Sequence, residues 1–416
     1  MNQDMKQPAV LLDRSDVRVS HETGIAATIR SSIDKVRSGD LGSLPVVVGL
    51  VIIWTVFGAL NPTFLSSNNL ANLLFDASTV GIISLGIVCV LMVGEIDLSV
   101  GSISGFASAM VGMLWVNEGW PVLLAILAAL VFGGVIGTIY ALLFNRLGMP
   151  SFVSTLAGLL AVLGMQLYLL GATGSINLPY GSAIVNFGQL LVIPRPLAYL
   201  FALIPGVVML FSGFAVVRRR KQANLSAPSA GGLVAKAVAI TVALEFVAFY
   251  LNQDRGIPWM FALFVVLVIL MDYALTRTQW GRSMSAVGGN REAARRAGIN
   301  VRMIYTSAFV LCAMFAALGG VLAAARLASA SQQAGTGDVN LNAIAAAVIG
   351  GTSLFGGRGN AYSALLGIIV IQSIASGLTM LDLSSALRYM ITGAVLAIAV
   401  IVDSLARRSR ASHGRG

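Results

Sequence analysis

Residues 122–144 read VLLAILAALVFGGVIGTIYALLF, an unbroken apolar run without a single charge. A helix rises about 1.5 Å per residue, so the run is long enough to cross the roughly 30 Å hydrocarbon core of a bilayer. It is apolar on every face, unlike a helix on the surface of a water-soluble domain. Similar runs recur from Pro45 almost to the end of the 416 residues. The whole chain is 57% hydrophobic and only 11% charged, with a mean hydropathy of +0.86. Soluble domains carry about a quarter charged residues, so an ordinary globular protein is excluded. The sequence predicts an all-α polytopic transmembrane helical bundle with about 10–12 membrane-spanning or re-entrant helices.

Working outward from 122–144, spans are expected at 45–60, 78–94, 99–116, 152–172, 197–217, 233–251, 258–275, 303–329, 343–357, 361–380 and 386–405. The stretch 343–357 is short and glycine-rich, the signature of a re-entrant or broken element. Residues 1–43 are polar and hold no apolar stretch of the length a secretory leader needs, so they read as a cytoplasmic tail. Residues 44–405 then form the transmembrane domain, with an inner loop at 276–302, and 406–416 form a basic cytoplasmic tail. Lys and Arg are retained on the cytoplasmic side during insertion. With both termini inside, most of the 27 Lys and Arg fall on inner segments, including Arg146, the RRRK cluster at 218–221, the 276–302 loop and Arg358. This sidedness and anionic lipid headgroups account for the net charge of +10, so no nucleic-acid partner is required. Pro205 beside Gly206 is expected to kink its span.

Cys89 and Cys312 lie inside apolar runs, while His21 and His413 lie in the polar tails. Neither a metal site nor a disulfide framework can be assembled from them, and no cofactor is expected. The cysteines read as small buried hydrophobes.

Three segments rise above this apolar background. GEIDLSVGS at 94–102 places Glu95 and Asp97 in a tight turn between two spans. Asp97 and Ser99 suit capping of the following helix, or the turn is a polar break facing a substrate route through Glu95, Asp97, Ser99 and Gly101. AVGGNREAARRAGINV at 286–301 has Asn290 as an N-cap and Glu292 in the first turn. Arg295 and Arg296 follow at i+3 and i+4, with Gly298 at the C′ position. A short helix of about 12 Å is expected, with Ala293, Ala294 and Ala297 forming a smooth side that another protein's groove would accept. VIGGTSLFGGRGN at 348–360 looks superficially like a phosphate loop. Gly357 and Arg358 stand where such a loop needs Lys and then Ser or Thr, so it is not a nucleotide site.

These segments, with MPSFVSTLAGLLAVLG at 149–164, resemble the inner-membrane permease subunits of bacterial ATP-binding-cassette importers for monosaccharides, the ribose, galactose and xylose group. The likeness covers most of the chain after residue 45, and the hydrophobic pair around 197–251 resembles xylose-type members. Branched-chain amino-acid permeases share the architecture and a similar cytoplasmic loop. A departure stands at Glu95, where members often carry a small residue. The resemblance implies a multi-pass protein of the bacterial inner membrane that carries xylose or a related pentose. It further implies assembly with a second copy of the chain, two cytoplasmic ATP-binding subunits and a periplasmic sugar-binding protein. In such an assembly Asn290, Arg291, Glu292, Ala293, Ala294, Ala297 and Gly298 would take up the ATPase stroke, and the chain itself would not be an enzyme.

The remaining charges and rival readings follow from cost at membrane depth. Glu245 lies within an expected span and calls for a structural bond to a neighbouring helix, while Asp272 and Arg326 suit interfacial positions near helix ends. A carrier driven by an ion gradient would use Glu95, Asp97 or Glu245 as its ion site. A membrane enzyme is a third class, for which no nucleophile and base can be named.

Overall fold

A computed structural model describes residues 44–384 apart from 228, together with 386, 387, 390–394, 397 and 401. Within a membrane, helix association draws on close packing and interhelical hydrogen bonds, because lipid tails are as apolar as leucine. The fourteen helices among the described residues begin with α1 (Leu44–Leu60), α2 (Ser67–Met92) and α3 (Val100–Val111), the last running on through a π-helical turn to Asn117. Then come α4 (Val122–Leu147), α5 (Ser151–Leu170), α6 (Ala183–Gln189), α7 (Arg195–Gln222), α8 (Ala230–Leu251) and α9 (Trp259–Arg277). The series ends with α10 (Gln279–Gly289), α11 (Arg291–Arg296), α12 (Val301–Leu327), α13 (Val339–Ile349) and α14 (Ala361–Met380). Two three-residue strands, β1 (Ser175–Asn177) and β2 (Ser329–Ser331), pair antiparallel with Ser175 opposite Ser331.

Nine of the described helices are long and apolar enough to cross a membrane, and α1 and α13 are shorter apolar helices. The expected bundle is therefore present. The last expected span, 386–405, and the tails 1–43 and 406–416 lie largely or wholly outside the described residues. The chain divides into two compact units, one comprising residues 193–256 and the other residues 42–192 with 257 onward. In the first, α7 and α8 form a hairpin in which Gly206 lies against Thr241 and the Ala237 carbonyl. Helix α7 runs unbroken through Pro205. Glu245 is half-buried on α8, and no hydrogen bond or ion pair of its side chain is found among the described residues.

In the larger unit α2 and α12 are the central helices. Every α2 side chain from Ala77 to Met92 is buried except Val80. Small residues let backbones meet: a Cβ on Gly137 of α4 would fall 2.5 Å from the Phe309 carbonyl oxygen of α12. Polar side chains bind helices across the gaps, as where Trp54 Nε1 donates to Ser373 Oγ at 2.9 Å and Trp280 Nε1 to Ser307 Oγ at 2.8 Å. Each such bond is worth about 0.6 kcal/mol on average in a bilayer.

At three places the structure differs from the sequence expectations. The span placed at 78–94 begins at Ser67, because Asp76 is tolerated inside the helix by pairing with Arg326. Arg326 stands in the last turn of α12, near the helix end as expected, and is engaged there. Its Nε lies 2.8 Å from Asp76 Oδ1, its guanidinium reaches Asn72 Oδ1 at 3.2 Å, and it stands over the Phe75 ring. The stretch 276–302, expected to be an inner loop, is not one loop with one short helix, since α10 occupies Gln279–Gly289. The broken element expected at 343–357 is real but displaced, with helix at Val339–Ile349 and turn from 350 to 360.

Candidate functional site

The three unusual segments, far apart in sequence, meet at one end of the larger unit, and they meet through glycine. Gly357 N–H donates to the Met92 carbonyl at 2.9 Å, joining the 350–360 turn to the end of α2. A Cβ on Gly288 would lie 1.8 Å from that same Met92 oxygen and 2.5 Å from Gly357 N. A Cβ on Gly356 would lie 2.8 Å from the Gly288 oxygen and 2.9 Å from Gly94 Cα, and Gly356 has φ of +80°. Only glycine satisfies both the close approach and the left-handed backbone there. The end of α10, the turn after α2 and the turn after α13 are thus locked backbone to backbone.

Directly after α10 in the chain comes α11, built as its sequence dictates. Asn290, in an extended conformation, accepts the Ala293 N–H at 2.9 Å. Glu292 accepts from Arg295 at 2.8 Å and Arg296 at 3.3 Å. Gly298 takes φ of +82° and lets the chain turn away. The helix spans six residues, about 9 Å by its rise, shorter than expected. The three alanines do not share one free side. Ala294 is 4% exposed and packs inside the chain, while Ala293 and Ala297 stay exposed with Arg291, Glu292, Arg295 and Arg296. The Arg295 hydrogen bond leads the effects that hold the Glu292 carboxyl below its ordinary range.

Of the residues expected along a substrate route, Asp97 and Ser99 are fully buried and engaged with each other. Asp97 Oδ1 accepts the Ser99 N–H at 2.8 Å and the Ser99 hydroxyl at 2.7 Å. This is the turn preceding α3, and Ser99 makes no side-chain bond to the helix N-terminus. Burial pushes the Asp97 carboxyl up, against the Ser99 bonds and the nearby Cys312 thiol that pull it down. Gly101 lies beneath the Gly335 carbonyl, and its N–H donates to Asn340 Oδ1. Glu95 alone keeps partial exposure. Burial raises its carboxyl above the usual range, while the Ser151 hydroxyl, within hydrogen-bonding reach, and the Arg291 charge lower it.

Two features escaped the sequence reading. Gln166 of α5 is fully buried, and its amide donates to the Ser331 carbonyl at 2.9 Å and the Ala334 carbonyl at 3.0 Å, pinning the non-helical stretch between α12 and α13. A lone amide within an apolar run was the available signal. Phe144 and Tyr305, with ring centroids 4.6 Å apart, receive Arg291. No local pattern announces that pairing.

A family profile described as branched-chain amino acid transport system / permease component matches residues 69–400. The xylose transport system permease protein XylH of Escherichia coli (strain K12) is 34% identical over 366 residues, covering 87% of this chain and 90% of that one. Its namesake from Haemophilus influenzae is 32% identical over 382 residues, 89% of this chain and 98% of the relative. The ribose import permease protein RbsC of Escherichia coli (strain K12) is 28% identical over 361 residues, 86% and 92% of the two chains. No solved structure gives a significant match. Span, order and identity agree along most of the length, and the chain belongs to this family of membrane transport permeases.

Proposed function

We propose that the chain is the transmembrane subunit of an ATP-binding-cassette importer in the bacterial inner membrane, carrying xylose or a related pentose. The xylose and ribose names of its relatives support the substrate class. The observation that carries the mechanism is the meeting of the three segments beside exposed α11. A contact at Asn290, Arg291, Glu292, Ala293, Ala297 and Gly298 would reach the end of α2, the turn after it and the α13 turn through the backbone contacts of α10. Ala294 serves that contact from inside by seating the helix. Two cytoplasmic ATP-binding subunits would press there, a second copy of the chain would complete the pore, and a periplasmic sugar-binding protein would deliver the sugar. Residues 44–405 form the membrane domain, and 1–43 and 406–416 are cytoplasmic tails. ATP-driven closure shifts such a pore between two arrangements according to its different affinity for each.

The test is uptake by the complex reconstituted with its ATPase and binding-protein partners, across a panel of pentoses and hexoses. Uptake that persists with proton and sodium gradients collapsed, stops without ATP and favours xylose or another pentose is expected. The purified chain moving sugar uphill by itself would overturn the reading, and it is also the result an ion-driven carrier requires.

A further inference from the structure

A helix face turned to hydrocarbon is aliphatic, as is the exposed stripe of α4, which runs at four-residue spacing through Leu123, Leu127, Val131, Val135 and Ile139. Helix α2 is different. It is largely enclosed by its neighbours, and the stripe it leaves accessible at the same spacing reads Asn68, Asn72, Asp76 and Val80. Residues at i and i+4 lie one above the other on a helix, so these four form one line. Asp76 is the tenth residue of α2, about 13 Å of helix rise from the end at Ser67.

Arg326 reaches this line from the last turn of α12, donating to Asp76 Oδ1 at 2.8 Å and to Asn72 Oδ1 at 3.2 Å. The buried Phe75 ring lies 5.0 Å from its guanidinium carbon and holds it in place. The arginine side chain is 19% exposed, yet that of Asp76 remains 41% exposed although it is already paired. An accessible carboxylate at this depth is costly against lipid and faces either a water-filled cavity or other protein. The core of a lasting interface between copies is depleted of charge. An arginine serving headgroups would extend away from the bundle, whereas this one is turned onto α2. The arrangement therefore favours a watered path. It offers carboxylate acceptors, an amide and guanidinium donors side by side, a set that matches neighbouring hydroxyl groups, each of which both gives and accepts a hydrogen bond.

We propose that Asn72, Asp76 and Arg326 form a weak site for the hydroxyls of a pentose in the outer half of the permeation path, with Val80 one turn deeper on the same lining. The other end of α2, at Met92, joins the segments assigned to the cytoplasmic side, so this end opens outward. The site is weak because a sugar must leave it as readily as it enters, and the proposal rests on the reading of the chain as a pentose permease. The experiment uses the reconstituted complex during ATP turnover, with a single cysteine at Val80 and an impermeant thiol reagent outside. Val80→Cys removes little volume and leaves the ion pair and both amides in place. It should label, and xylose, or the pentose that the panel above selects, should slow the labelling severalfold, whereas glycine betaine at equal osmolarity should not. Val131→Cys, on the aliphatic stripe of α4, should stay unlabelled. Adding Asp76→Asn together with Arg326→Gln keeps a neutral hydrogen bond and should raise the sugar concentration for half protection about tenfold, since bonds to charged groups are the stronger kind. An unlabelled Val80→Cys overturns the site, as does labelling that sugar does not slow or a protection curve that the neutral pair leaves unmoved. Disulfide-linked dimers of Val80→Cys would assign the stripe to a contact between copies instead. A complex that carries no pentose sinks the permease reading, whereas pentose uptake with an unprotected Val80→Cys sinks this site alone.

Discussion

Asp97 is a carboxylate enclosed by protein, and one of its oxygens does the visible work of shaping the turn before α3. An amide keeps that acceptor, so Asp97→Asn should leave uptake near the unmutated level. Asp97→Leu leaves the Ser99 N–H and hydroxyl unpaired at about 1–3 kcal/mol each and should lower the melting temperature in detergent. Severe loss of uptake in a well-folded Asp97→Asn protein would instead assign the charge a direct role. Gly288 is a sharper case, since its missing Cβ is occupied by backbone atoms of two other segments. Gly288→Ala should cost about 1–3 kcal/mol, the usual range for overpacking, read as a lowered midpoint of thermal unfolding. Glu292 titrates in the opposite sense to a buried acid. Its folded value is lowered, so the contribution of its ion pairs is present above the unfolded Glu value and lost as pH falls through the folded one. A carboxyl NMR titration should therefore show Glu292 still ionised where an ordinary glutamate has begun to protonate.

At the scale of elements, short-range chemistry was legible and long-range meeting was not. Asn290, Glu292 and Gly298 act within one helical turn of their partners, and the cap, ion pairs and C′ turn follow from spacing alone. Nothing in the spacing says which alanine faces inward, because that depends on the chain lying beneath. Ala294 packs into the core and Ala293 does not, so tryptophan should separate them. Ala294→Trp should lower the melting temperature and hinder assembly of the complex. Ala293→Trp should leave the melting temperature unchanged and uncouple uptake from ATP hydrolysis, and equal thermal losses in both would refute the division. The same limit explains α2. Hydropathy ended the span at the charge of Asp76, whose partner Arg326 comes from α12, 250 positions along the chain.

For the whole molecule, the sequence assigned Arg146, the 276–302 stretch and Arg358 to one side of the membrane, and the fold independently gathers their neighbourhoods. Asn145 Nδ2 donates to the Arg302 carbonyl at 3.1 Å, Arg291 stands over Phe144, and Gly357 bonds to Met92. That agreement makes orientation testable with single cysteines, since Cys89 and Cys312 are both buried and should stay silent towards an impermeant thiol reagent. The Arg296 side chain is 79% exposed on α11, and Tyr180, between α5 and α6, is 82% exposed. In spheroplasts, Tyr180→Cys should label and Arg296→Cys should not, and inverted vesicles should exchange the two. Labelling of Arg296→Cys from outside would put α11 where no cytoplasmic ATPase can touch it. Every step that begins with a push on that helix would then fail.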